Sequence, residues 1–301
     1  MSEATAPYVE TAEMPVRQRS AFTAFNLRLI KEKPLGAVGG IIFVIFLFCG
    51  LFADFLIPYG INETNLSVRL EPPSTTHLLG TDQLGRDVLS RVLIGAQLSM
   101  IIGFLAAGFA TVISIVLGVL SGYFGGKVDM IIQRFVDAWM SFPDLLFLIV
   151  VISIVGPGVP QIVMALSLIY GIAGSRIVRG SVISVRENMH THAARSMGAR
   201  TMHILVRHIL PNIMPVVIVL FTTRVGATIL TEAGLSFLGL GVPPPTPTWG
   251  GMLSGTGRTY MYLGPWLVIA PGLCLTIVVY AINVYGDALR DLLDPRMRGS
   301  R

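Results

Sequence analysis

Five histidines, two cysteines and one Gly-Gly-Lys run are the residues of this 301-residue chain whose types could do chemistry. A phosphate loop needs a glycine five positions before its Gly-Lys and a Ser or Thr after it, so that backbone N–H groups cradle phosphate and the hydroxyl binds magnesium. Around Gly125-Gly126-Lys127 the earlier position is Ser121 and the later one Val128, which leaves no nucleotide site. A zinc hydrolase would place His-Glu-x-x-His on one helix face, and that motif does not occur. His77, His190, His192, His203 and His208 all lie in polar stretches, four of them in one loop. Ser254-Gly255 offers a hydroxyl in a turn, yet no histidine sits in an apolar run to activate it. Cys49 and Cys274 each fall inside an apolar run, where they read as packing residues, with no disulfide framework or thiolate cluster. The sequence therefore predicts a non-enzyme without cofactor or metal.

The polar stretches are separated by segments that demand a different solvent. A bilayer core roughly 30 Å thick takes about 20 apolar residues of helix at 1.5 Å each. Residues 35–57, 98–120, 159–175, 213–230 and 264–284 meet that requirement, with flanking turns completing the shorter runs. A sixth run, 128–155, is interrupted by Asp129, Arg134, Asp137 and Pro143-Asp144. It reads as a helix that starts polar and enters the membrane, with a kink where Pro143 removes a backbone donor. The composition agrees, at 53% hydrophobic and 13% charged. The expected fold is all-α, a polytopic membrane protein with about six transmembrane helices.

Six spans place the loops alternately on two sides. Only Arg69, Arg86, Arg91 and Arg258 fall on one side and Arg224 inside a span, while the remainder of the 22 Lys and Arg lie on the other. The positive-inside rule then puts both termini in the cytoplasm. Anionic inner-leaflet lipid accounts for the net charge of +5, so no nucleic-acid partner is expected. Residues 1–33 read as a cytoplasmic tail without a signal peptide, ending in a short interfacial helix or a basic tail in which Phe22, Phe25, Leu29 and Ile30 interleave with Arg28, Lys31 and Lys33. Residues 34–290 form the membrane domain and 291–301 a cytoplasmic C-terminal tail.

The loop at about 179–211 is the most specific polar stretch. Its first half offers small side chains at Ala193, Ala194, Ser196 and Ala199, and Gly198 is suited to a left-handed turn that ends one helix and starts another. Met202, Leu205, Val206 and Ile209 recur at helical spacing and predict one apolar face on the second helix. Pro211 suits the first turn of the next span. Outside, Asp82, Arg86, Asp87 and Arg91 are spaced to pair on a helix bracing the second span, or to form a docking surface. Pro243, Pro244, Pro245 and Pro247 make a stiff connector beside Trp249, which reads as a gate rim or as an aromatic-belt segment. Arg224 and Glu232 are charges inside a span, eight residues apart, placed to share a side of that helix as a structural pair or in the substrate passage.

His192-Ala193-Ala194, Gly198 and Ile209-Leu210-Pro211 resemble the E-A-A, G, I-x-L-P signature of ABC importer permeases. Gly80 to Arg91, Gly122 to Gly126, Leu235 to Gly241 and Gly286 to Arg296 resemble stretches of the second permease of dipeptide, oligopeptide and nickel importers. The resemblance runs from about Pro34 to Arg298. Two departures stand out: His192 occupies the place of the signature glutamate, and the isoleucine directly precedes Leu-Pro. The resemblance implies a type I ABC importer transmembrane domain in a bacterial or archaeal inner membrane, forming half of a pore for peptides or related solutes. It further implies a homologous second permease, two cytoplasmic ATPases and an extracytoplasmic substrate-binding protein. His192, Ala193, Ala194, Ser196, Met197, Gly198 and Ala199 would dock the ATPase as a coupling helix. Two alternatives from other classes are an ion-gradient-driven secondary transporter, against which no internal repeat is found, and a noncatalytic membrane scaffold.

Overall fold

The computed structural model describes residues 21–293, so residues 1–20 of the expected N-terminal tail (1–33) and 294–301 of the expected C-terminal tail (291–301) lie outside them. Helix α1 (Ala21–Glu32) precedes α2 (Pro34–Leu51), which begins on Pro34 because a first-turn residue needs no N–H donor. A short α3 (Ala53–Leu56) finishes the first span beyond a break at Phe52. Next come α4 (Val88–Phe124), α5 (Gly126–Met140), α6 (Asp144–Val155) and α7 (Val159–Arg186). The loop that follows holds α8 (Met189–Ser196) and α9 (Thr201–Ile204), and α10 (Leu210–Phe237) makes the fifth span. Short helices α11 (Trp249–Leu253) and α12 (Gly255–Tyr260) lead to α13 (Trp266–Leu293). The last helix runs three residues past the expected boundary at 290, where Asp291 receives Lys33 from the start of α2.

Among the described residues five helices are long and apolar enough to cross a membrane; α5 and α6 meet at an 85° bend. At 1.5 Å per residue the 15 residues of α5 and the 12 of α6 reach roughly 22 and 18 Å. Each is shorter than a hydrocarbon core of about 30 Å. The packing of α4 on α7 decides how they count. Ser167 Oγ donates to Ala106 O and Ser114 Oγ to Gly171 O, while Gly118 meets Val178 and Gly122 meets Val182. Partner numbers rise together, so the two helices run parallel. The chain between them must return to the starting end, and α5 with α6 makes that single crossing. The kink expected at Pro143 is thus a full break, with Ser141, Phe142 and Pro143 between the two helices.

The α4–α7 seam holds because small residues let backbones meet where lipid supplies no hydrophobic drive. A Cβ on Gly118 would lie 2.6 Å from that of Val178, and one on Gly122 would lie 2.9 Å from Arg179 O. On its other faces α4 packs antiparallel to α10 through Thr228 Oγ1 donating to Gly103 O, and to α2 through Phe43 against Phe104. Helix α13 closes the bundle, covering α2 at Gly36 and Gly39 and α10 at Gly226.

The outer end departs from expectation. Residues 80–87 form a turn instead of a helix, because the Asp82 carboxylate accepts from the backbone N–H groups of Leu84 and Arg86 and Gly80 and Gly85 have positive φ. The charges still pair: Arg86 Nε lies 2.7 Å from Asp82, Arg91 Nε lies 3.8 Å from it, and Asp87 caps α4. Trp249 is fully buried and donates to Val92 O at 3.1 Å, so it is core and not part of an aromatic belt. Trp266 Nε1 donates to Thr81 O.

Candidate functional site

Helix α8 stands at the end of the bundle where α7 stops and α10 starts. Its termination follows from Gly198, whose φ is +76°. Gly198 N–H donates to Arg195 O and Ala199 N–H to Ala194 O, at 3.0 and 3.1 Å. This pair of bonds is the Schellman arrangement, which needs a left-handed residue after the helix. A Cβ at Gly198 would meet nothing within 4 Å, so backbone conformation alone requires glycine there.

The seven residues of the predicted signature divide by face. Ala194 is buried at 4% exposure and Ala199 is half-buried, whereas His192, Ala193, Ser196, Met197 and Gly198 point to solvent. Met197 and Met189, both more than four-fifths exposed, flank that outer face. Ala194 belongs to one buried apolar cluster with Tyr123 and Val119 of α4, Val178 and Val182 of α7, and Ile204, Ile209 and Ile213 ahead of and within α10. Three further contacts fix the seat. Arg186 Nη1 donates to Gly122 O and Tyr123 O, capping the C-terminus of α4. Arg195 lies 5.7 Å over the Tyr123 ring, and Thr191 Oγ1 donates to Val185 O at 2.9 Å. Full burial of Ile204 and Ile209 at an aqueous end of the bundle contributes roughly 1.5–3 kcal/mol each.

The expected apolar face after Gly198 is corrected. Met202 and Val206 are exposed, and Ile204 and Ile209 take the buried positions with Leu205 half-buried. The cause is a π-turn at Leu205–Ile209, which adds one residue to a turn and rotates everything before it. Pro211 has no N–H to return to Arg207, and Leu210 N–H reaches back to Leu205 O instead. Asn212 Nδ2 donates to His208 O at 2.6 Å. Thr201–Phe237 is consequently one continuous helical run of 37 residues, so the α8 seat and the fifth span share a rod.

His192 stands where the signature has glutamate, and the carboxylate is recovered nearby. Glu187 Oε2 lies 3.5 Å from His192 Nε2 and Glu187 Oε1 lies 2.9 Å from Arg186. The Arg186 hydrogen bond holds the Glu187 carboxyl below its usual range, with His192 adding to the effect. Below this, Asp129 of α5 receives Arg179 of α7 through two bonds of 2.6 and 2.5 Å and also Ser121 of α4. Sequence reasoning missed this three-helix clasp, since nothing in the spacing of residues 121, 129 and 179 announces it.

Arg224 and Glu232 do not share a side. Eight residues turn a helix by two full turns and about 80° more. Glu232 is fully buried toward α4, accepting from Ser236 at 2.7 Å and Ser99 at 3.4 Å. Arg224 turns toward α7 and stacks 4.8 Å over the Tyr170 ring.

The class of protein follows from this bundle, with a helix seated at one end between its fourth and fifth spans, taken together with what the chain is similar to. The family model described as binding-protein-dependent transport system inner membrane component matches residues 114–299, and that of the N-terminal TM domain of oligopeptide transport permease C matches 27–73. The chain belongs to this family of ABC importer permeases, and it is a transport subunit, not an enzyme. It is 40% identical to the dipeptide transport system permease protein DppC of Alkalihalophilus pseudofirmus, covering 89% of this chain and 88% of that one. Identity to the glutathione transport system permease protein GsiD of Pectobacterium atrosepticum is 39%, over 93% of each. In fold it resembles the inward-facing MetNI methionine ABC transporter, with TM-score 0.56 and 20% identity over 68% of this chain and 97% of the other. Family membership replaces the secondary-transporter and scaffold alternatives.

Proposed function

We propose that α8 with its Gly198 cap is the element through which separate ATPase subunits drive this bundle. His192, Ala193, Ser196, Met197 and Gly198 present the docking face; Ala194 and Ala199 bind it to the bundle. The observation that carries the reading is the combination of an exposed small-residue face with a buried residue, Ala194, that shares one apolar cluster with side chains of α4, α7 and α10. A floppy element would dissipate motion; one joined to a cluster common to three spans transmits it.

Two cytoplasmic ATPases, a homologous second permease and an extracytoplasmic substrate-binding protein complete the assembly. Both termini are cytoplasmic in a bacterial or archaeal inner membrane, a reading supported by the basic residues at the α8 end. The cargo is a peptide or a related small solute, on the names of the relatives. Arg224 lines the passage, whereas Glu232 holds α10 to α4. Cysteine at Ala193 tests the docking face. A short cross-linker should join it to the ATPase in the assembled complex, and reconstituted uptake should require ATP and the binding protein. No adduct from any position between His192 and Met197 refutes the docking assignment.

A further inference from the structure

Charged side chains in a bilayer face a partner, a cavity or both. Arg224 lies midway along α10 and is partly exposed. No carboxylate lies within 4 Å of it among the described residues; the groups that reach it electrostatically are Tyr170 and, at the start of α6, Asp144. Glu232, the other charge on this span, is closed away and bonded to two serines. The Tyr170 ring holds the guanidinium by its face, leaving N–H donors at the ring edge unspent.

The surface around Arg224 is unlike a lipid-facing one. Thr223, Ala227, Thr231 and Gly234 recur at helical spacing and are all partly exposed. A Cβ on Gly234 would meet nothing within 4 Å, and Thr231 Oγ1 is bonded to the Tyr170 hydroxyl at 2.7 Å. Leu230 is exposed along one side of this stripe, and elsewhere the exposed faces of the spans are large and apolar, as at Ile41, Val44, Phe48, Phe109 and Val116. A stripe of small and hydroxylated side chains edged by a free guanidinium suits water and solute, and a lipid tail poorly.

We infer that Arg224 receives a carboxylate of the transported solute partway through the bundle. This rests on the permease reading above and adds the chemical class that the path selects. A guanidinium pairs a carboxylate through two parallel N–H donors, which lysine matches in charge but not in geometry. Stacking on Tyr170 orients the fork without neutralising it, so the charge is presented to whatever enters. Binding at this point stays weak enough for release because the group is partly hydrated.

The test uses the reconstituted complex with its ATPases, second permease and binding protein. Two tripeptide pools of identical sequence composition are compared, one with free C-termini and one C-terminally amidated, at equal occupancy of the binding protein. Uptake is read by mass spectrometry per assembled complex. Wild type should prefer the free acids. Arg224→Gln should lower free-acid uptake by about ten- to hundredfold, the loss of a charge-assisted contact, and leave the amides nearly unchanged. Arg224→Lys should retain part of the preference. Equal loss for both pools would make Arg224 a structural partner of the second permease and overturn the inference. So would equal wild-type rates for acids and amides, a result that needs no variant to fold. If wild type takes up neither pool with ATP, the peptide-permease reading fails and this inference falls with it.

Discussion

Substituting Gly198 separates strain from contact in the proposed lever. The residue sits at φ +76° with open space around the missing Cβ, so a side chain there costs backbone energy and creates no clash. Alanine at a left-handed position costs about 1 kcal/mol, and a β-branched residue about 2 kcal/mol. Those costs shift the balance between capped and uncapped α8 by roughly fivefold and thirtyfold. Asparagine tolerates this conformation and should cost a few tenths of that. The expected order of coupling is therefore glycine, asparagine, alanine, valine. Membrane insertion should be equal in all four, because the residue touches nothing in the bundle. Coupling is measured as solute imported per ATP hydrolysed in proteoliposomes containing the whole complex. If Gly198→Val transports as wild type does, the cap is not a rigid part of the coupling path. If asparagine fails as badly as valine, the defect comes from the side chain at the docking face, and the strain argument is wrong.

Ala193→Arg and Ala194→Arg should fail differently: the first, on the exposed face, loses ATPase from the purified complex, whereas the second overpacks the seat beside Tyr123 and Ile209 and lowers thermal stability by about 1–3 kcal/mol. Restoring the signature residue as His192→Glu places a like charge where Glu187 lies 3.5 Å away, so coupling should drop at low salt and recover as salt screens the pair. No salt dependence would show that the two side chains do not meet. Trp249→Ala removes a fully buried ring and its bond to Val92, at about 3–5 kcal/mol, and the protein should fail to accumulate in the membrane. Asp129→Asn weakens the α4–α5–α7 clasp and should lower the melting temperature in detergent without touching ATPase retention.

Much of the fold was legible because bilayer length and apolar composition are local properties. The run 98–120 lies inside the 37-residue α4, and 213–230 lies inside the 37-residue helical run from Thr201. The left-handed turn at Gly198 was legible for the same reason, since only glycine adopts it at little cost. Among the readings that failed, two show a local helical spacing overruled by a backbone feature. Residues 80–91 have helical charge spacing, yet the Asp82 carboxylate captured backbone donors and closed a turn. Residues 202–209 have helical apolar spacing, yet the π-turn before Pro211 rotated Ile204 inward and Met202 outward.

From sequence alone came the five unbroken spans, the basic side and the small-residue loop, because each is set by solvent preference or by the conformational range of a single residue. Tertiary structure decided that α5 and α6 are one broken crossing, that Ala194 is an anchor while Ala193 is free, and that Arg224 and Glu232 part company. These depend on which helices are neighbours and on the rotation of each about its axis. A single inserted residue or a remainder of about 80° changes that rotation, and no spacing rule along one chain reports where the partner helix stands.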